Sequence, residues 1–589
     1  MYQEAINHSL MSSSNNFDPP KDSDRRADGL LYEDNPLRLD DTVEPGLNSL
    51  PVSYPPSAGN IGETAGNRAG TGGGIIRAAM LISLGNILTR IFGVGREIVL
   101  ASIAGTAGVG TAFAIADNVL SIFFDLLVSG AISSALIPVL SRYASRTDPK
   151  DRQEFWHIVN TLLTLGLLFL MGVLVILQLI TDPLADYMTT GQDAEVRQLA
   201  PGLVRVILFG IVFLGVSSIM MAALQALQRF AWSALSLAAR NASVIVVALV
   251  FSSWGIWSMV VGVVLGTFML VALQAPGLRD MPFRPSFDWK HPAVREILKL
   301  YRPIFFGLLI TSTVLIIDRA LASSTGENSI LAMRYATTLQ QFTLGLVGSA
   351  ISIAILPTLS RQAASENLGD YLRTLMSGLK LLLVLIIPAT LGLLAIGLPT
   401  IQLLLEQGKF DETSRWLTYF ALLGYLPGIP AAAIDQMLIF SFYARKNTLT
   451  PVLVGVVSNL IYLAVALLSV NVLHTGMMGL VIANSLQQVV HMCIMFWLLR
   501  RRFGGLGGHG LYRTALKAVL ASLLLLVCAY LAAGLITVWL GDSGKIANLL
   551  TVVVGIGVGG VAYIFALRLL RVHEMNQVWQ AVARKLLKK

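Results

Sequence analysis

The chain has little charge and few of the side chains that do chemistry in water. Of its 589 residues 13% are Asp, Glu, Lys or Arg, about half the ~25% of a typical soluble domain. With 55% hydrophobic residues and a mean hydropathy of +0.69, the solvent for most of the chain is lipid. The two cysteines, Cys493 and Cys528, both lie in apolar runs. They exclude a disulfide framework and a cysteine-based metal site and read as core thiols. Histidine is scarce too: of seven, only His491 falls in an apolar run, with no acid nearby in sequence. A membrane-embedded glycosyl- or acyltransferase would want a carboxylate pair or a histidine at the membrane face, so an enzyme is not expected. No G-x-x-x-x-G-K-[ST] segment occurs, so nucleotide-driven transport is not expected either. The run Gly504-Gly505-Leu506-Gly507-Gly508 lacks the lysine and reads as a loop. No cofactor is implied, and the net charge of +9 marks cytoplasmic loops rather than a nucleic-acid surface.

That charge is unevenly placed. Residues 1–70 hold 11 acids and 5 bases, with many Ser, Asn, Pro and Gly, and read as a disordered cytoplasmic tail without a signal-peptide core. The body carries the opposite sign. From about residue 75, apolar runs of ~20 residues, the length that crosses a bilayer, recur fourteen times. They lie near 75–103, 112–140, 158–180, 198–225, 233–253, 256–275, 301–322, 333–357, 378–399, 416–440, 450–470, 476–499, 514–539 and 548–570. Lys and Arg collect in alternate loops, as in Arg142 to Arg152, Arg279 to Arg302, Arg361 to Lys380, Arg445 with Lys446, and Arg500 to Arg513. The intervening loops are neutral or acidic, such as Asp182 to Glu195 and Glu406 to Glu412. Both termini are therefore expected in the cytoplasm, and Arg584, Lys585, Lys588 and Lys589 agree.

Residues 127–144, LVSGAISSALIPVLSRYA, align without a gap to 346–363, LVGSAISIAILPTLSRQA, with 11 identities in 18 positions. The copies end the second and eighth runs, so the period is six helices and both copies share one orientation. The expected fold is an all-α polytopic membrane protein of about fourteen helices, with two parallel six-helix lobes and two C-terminal helices. Its divisions are a tail over 1–72, lobes over 73–290 and 291–500, and a last pair with a basic end over 501–589. A substrate path is expected between the lobes.

Charges inside a membrane cost ~2.5–3.5 kcal/mol each on insertion scales, so they face a cavity or a partner. The first run holds Arg90, Arg96 and Glu97, the second Asp117 and Asp125, the seventh Asp318 and Arg319; the eighth begins with Arg334 and the tenth contains Asp435. Arg90 and Glu97 are seven residues apart, which puts them on one helix face. A guanidinium lining suits phosphate or carboxylate. The alternative is internal pairing, such as Arg96 with Asp117 or Asp125, or snorkelling to the interface. Arg205 and Arg240 read as structural or interfacial.

TRIFGVGRE at 89–97 and SGAISSALIPVLSR at 129–142 resemble the first two helices of the MurJ/MviN flippases, within the multidrug/oligosaccharidyl-lipid/polysaccharide exporter superfamily. LQRF at 227–230, GSAISIAILPTLSR at 348–361, EQGKF at 406–410 and FYARKNTLTP at 442–451 extend the resemblance over about 75–570. It implies a multi-pass protein of the bacterial cytoplasmic membrane that moves lipid II, the undecaprenyl-diphosphate-linked peptidoglycan precursor, outward by alternating access. The implied driving force is the membrane potential, or a Na+ or H+ gradient with Asp318 and Asn459 as coupling residues. The implied partners are the polyprenyl-diphosphate-linked glycan lipid, membrane lipids and cell-wall synthesis proteins. The family's first-helix arginines and acid match Arg90, Arg96 and Glu97. Three other charged positions depart, falling on Thr111, Phe124 and Thr338, with Arg319, Arg334 and Asp125 nearby to take their place. Asp117 completes the expected central-cavity set. Those departures leave two further readings, a flippase for an O-antigen or exopolysaccharide unit and a transport-inactive scaffold of the wall machinery.

Overall fold

The computed structural model describes residues 72–106, 108–124, 136–144, 149–364, 368–445, 447, 449–503, 510–541 and 544–572. The acidic tail, the basic C-terminal end, the Gly504–Gly508 run, Asp125 and half of the first repeat copy lie outside them. The described residues form helices joined by short turns, with no strand among them.

In chain order the helices are α1 (Gly72–Ala104), α2 (Val109–Phe124), α3 (Ile137–Ala144), α4 (Pro149–Leu179), α5 (Thr181–Met188), α6 (Ala194–Ile207), α7 (Gly210–Ala226), α8 (Phe230–Val250) and α9 (Ile256–Gln274). There follow α10 (Pro292–Ser324), α11 (Ser329–Leu344), α12 (Ala350–Ala364), α13 (Leu368–Leu405), α14 (Glu412–Tyr425), α15 (Gly428–Ala444), α16 (Leu449–Asn471), α17 (Met477–Arg502), α18 (Leu511–Leu540) and α19 (Lys545–Leu569). A π-helical turn, Gly345–Ser349, joins α11 to α12.

Each of the fourteen apolar runs falls on one of these helices or on a broken pair. Nine spans among the described residues are long and apolar enough to cross a membrane, ten if α14 and α15, bent by 46°, count as one. The runs left over are α1, α2 with α3, α10, and α11 with α12. These are the four that carry most of the intramembrane charge, so composition alone undercounts the helices that matter most to a polar path.

Helices α1 to α9 pack chiefly on one another, with α8 against both α1 and α9, α2 against α6, and α7 against α4 and α9. Helices α10 to α17 form a second set, in which α17 packs on α14, α15 and α16. The last two, α18 and α19, pair with each other and lie on α13. Their outer faces are apolar and open, as at Val538, Trp539 and Val561, as lipid-facing helices require. Cys493 is exposed and Cys528 half-buried. Neither is the core thiol that the apolar runs suggest, because in a lipid-facing helix apolar sequence does not imply burial.

The two ends of the bundle differ chemically. At the end with neutral and acidic loops the helix sets are tied together. The Lys409 amide donates to the Ser102 carbonyl at 3.0 Å, Gln192 Nε2 to the Ser323 carbonyl at 2.7 Å and the Tyr335 hydroxyl to the Gly105 carbonyl at 2.8 Å. Gly408, at φ +62°, sits so close that a Cβ there would lie 2.0 Å from the Ser102 carbonyl oxygen. Only glycine fits that turn and that approach. The opposite end carries exposed ion pairs of the basic loops, Arg142 with Glu296 and Arg229 with Asp280.

Candidate functional site

The site grows from three helices meeting at the seam between the two sets. On α1, Arg96 and Glu97 directly follow the Gly93–Gly95 pair. On α2, Asp117 is buried among Phe113, Ala114 and Leu120. On α11, Arg334 follows the first turn and lies over the Phe113 ring at 5.7 Å, a cation–π contact.

Arg334 reaches across the seam. Its Nε donates to Glu97 Oε2 at 2.8 Å and its Nη2 to Glu97 Oε1 at 2.9 Å, a two-pronged pairing. The same Nη2 donates to Asp117 Oδ2 at 2.8 Å. Arg96 Nη2 donates to Glu97 Oε1 at 2.9 Å and stands 3.5 Å from Asp117 Oδ2. Both acids are 4% exposed. Two guanidinium groups and two carboxylates therefore cancel, in a place where an unpaired charge would cost several kcal/mol. One acceptor is left over: Asp117 Oδ1 is buried with no hydrogen-bond partner among the described residues.

Arg90 makes a second bridge across the seam, separate from this cluster. Its Nη1 donates to the Gln341 carbonyl at 2.8 Å. The guanidinium occupies the space over Gly345, where a Cβ would fall 1.9 Å from Arg90 Cζ. The π-helical turn and its glycine thus admit the arginine.

Of the expected cavity residues, Arg96, Glu97, Asp117 and Arg334 come together and Arg90 lies apart on the same seam. Asp125 falls outside the described residues. Arg319 lies on α10 with Asp318, their charged atoms 3.8 Å apart. Asp318 also accepts from the Tyr462 hydroxyl of α16. Asn459, one turn before Tyr462, accepts instead from Gln487 Nε2 of α17 at 2.5 Å, so those two expected coupling residues have different partners. Among the described residues no three His, Cys, Asp or Glu side chains group as a metal site. Arg205 is on the periphery, forked onto Asp182 at 2.7 and 2.8 Å.

Two contacts are not foreshadowed by the sequence pattern. Tyr462, an unremarkable tyrosine in an apolar run, completes the Asp318 site. His491 Nδ1 meets Asp435 Oδ1 at 2.6 Å, both side chains buried, although 56 residues separate them. A lone acid and a lone histidine in apolar runs are the available signal, because each needs a partner in lipid.

Comparison with known proteins bears on the family and the fold. A family profile described as "Lipid II flippase MurJ" matches residues 100–553. A "Probable lipid II flippase MurJ" of Vibrio cholerae is 27% identical over 464 residues, covering 76% of this chain and 85% of that protein. Among solved structures, "Lipid II flippase MurJ, inward closed conformation" superposes with a TM-score of 0.68 at 20% identity, over 84% of this chain and all of that one. An inward-facing multidrug resistance MATE family transporter of the MOP superfamily gives a TM-score of 0.60 at 16% identity, over 71% and 95% of the two chains. At such identities the structural likeness concerns the fold.

Proposed function

The chain belongs to the lipid II flippase MurJ family, and from that premise we propose that it carries lipid II across the bacterial cytoplasmic membrane for peptidoglycan synthesis. The observation that carries the reading is the Arg334 fork across the seam to Glu97 and Asp117. Arg96 and Arg334 are held in position by carboxylates, and a diphosphate is an anion of the same kind. A lipid head entering the seam exchanges for the carboxylates on the guanidinium groups, which bind it in their planar forks. The exchange loosens the bridge between helix sets, and the sets rock about the bound head. Arg90 over Gly345 is a further anchor that must let go.

The alternating charge of the loops supports a cytoplasmic position for the basic end and both termini. The tied end, with Lys409 on Ser102 and Gln192 on Ser323, then faces outward and must open to release the cargo. A diphosphate head carries about two negative charges, and an inside-negative potential favours its outward movement by ~2.3 kcal/mol per charge per 100 mV. This drives transport without nucleotide. In a reconstituted lipid-flipping assay, Arg90→Ala and Arg96→Ala are expected to abolish transport while leaving membrane insertion intact; normal transport by both variants sinks the assignment. Mass spectrometry of co-purifying lipids is expected to show an undecaprenyl-diphosphate muropeptide.

A further inference from the structure

We propose that the cavity between α13, α18 and α19, at the basic-loop end, binds a phosphate group, and that the phosphate is the headgroup of an anionic membrane lipid. The cavity, of about 230 Å³, is lined by Lys380 of α13, Arg513, Thr514 and Lys517 of α18, Arg571 just past α19, and Gly510. Four of these residues are cationic and none of the described lining residues is acidic.

Several features bring the positive charge to one point. Lys517 Nζ is 3.4 Å from the Arg571 carbonyl, so the lysine lies across the end of α19. Arg571 adopts φ +50°, in a turn where its amide donates to the Arg568 carbonyl and the Val572 amide to the Leu567 carbonyl. Gly510, at φ +67°, immediately precedes the 30-residue α18, and a Cβ there would lie 3.8 Å from Lys380 Nζ. The unpaired amides of the first turn of α18 therefore open beside the same cavity and add the positive end of the helix dipole. The mixture of fork-shaped donors with point charges around one cavity suits a phosphate.

The surroundings favour a lipid as the source. Tyr512 is exposed next to Arg513, as an aromatic residue at the membrane interface would be. Leu516 and Leu520 continue the open apolar face of α18 directly beyond the cavity. A lipid could place its phosphate among the cations and its acyl chains along that face. Basic pockets between membrane helices at the cytoplasmic side take anionic headgroups on this principle.

The test is equilibrium binding to the purified full-length protein in uncharged detergent, with fluorescent phosphatidylglycerol as probe and fluorescent phosphatidylcholine as zwitterionic comparison. Phosphatidylglycerol is expected to bind more tightly, and raising salt from about 0.05 to about 0.5 M should weaken it. Arg513→Gln and Arg571→Gln should each weaken it about fivefold, from ~1 kcal/mol per cation. Each variant is checked for an unchanged melting temperature, and Arg279→Gln on another basic loop should change nothing. Inorganic phosphate competing at the same residues, without preference between the lipids, keeps the phosphate site and moves its source to the soluble phase. Equal binding of both lipids without competition by phosphate, or equal binding by wild type and both cavity variants, overturns the proposal.

Discussion

Two sets of buried acids in this protein are partnered in opposite ways. Glu97 and Asp117 meet two guanidinium groups, and the contacts with Arg334 cross from the first helix set to the second. Asp318 and Asp435 instead take a phenol and an imidazole, from Tyr462 and His491, with Arg319 3.8 Å from Asp318, all within the second set. The difference separates what can be exchanged from what holds. An ion paired with an ion at a seam can trade its partner for another ion once the displaced carboxylates are hydrated by the opening seam. An acid closed by partners of its own helix set bridges no seam, and it ties the helices of that set to one another. On the proposed mechanism the seam is the moving part and the second set a rigid one.

The sharpest way to break the comparison is Arg334→Gln. It strands two buried carboxylates with Arg96 alone, and removing one partner of a buried pair costs ~3–5 kcal/mol. Flipping is expected to disappear and the melting temperature to drop by several degrees. The double variant Arg334→Gln with Glu97→Gln, which removes one charge of each sign, should recover much of the stability and none of the transport. Full recovery of both would show that the bridge does no more than hold the fold. Tyr462→Phe should act more mildly. It leaves a buried carboxylate oxygen without its donor, at ~1–3 kcal/mol, and the loss should appear in thermal stability of the second set more than in the affinity for lipid II. A Tyr462→Phe variant that bound lipid II poorly at wild-type stability would move Asp318 into the cargo path.

Much of this arrangement is legible in the sequence, for physical reasons that differ by residue. The helices and their membrane character follow from apolar runs, which set length and solvent together. The charged positions stand out because lipid makes each of them expensive, so Arg96, Glu97, Asp117 and Arg334 are conspicuous from the amino-acid order alone. Their pairing is not, because Arg334 and Glu97 are 237 residues apart and no periodicity carries information over that distance. Separation along the chain likewise conceals His491 on Asp435. Arg90 is expected in a cavity lining, whereas its guanidinium rests on the π-helical turn over Gly345, a backbone irregularity that sequence patterns do not specify.

The mildest expected effect lies at the tied end, where the same contrast between ionic and neutral partners recurs in water. Glu327, in the turn between α10 and α11, shares a hydrogen bond with Asp193, which directly precedes α6 in the other helix set. That bond, and the negative charge of Asp193, hold the Glu327 carboxyl above its ordinary value of 4.5. The group binds its proton more tightly when the two loops are together, so the contact is complete in acid and weakens as pH rises through the raised value. Above it two carboxylates face each other and repel. Acid should therefore favour closure of this end, and neutral pH should favour opening. Both groups are in water, so the effect is small and should fade with salt. Spin labels on Thr190 and Asn328 should report a distance that lengthens as pH rises from acid to neutral. Glu327→Gln keeps a neutral donor facing Asp193 and should hold the short distance throughout. A wild-type pH profile in that variant would assign the titration to another group and leave the backbone ties, Lys409 on Ser102 and Gln192 on Ser323, as the whole of the closure.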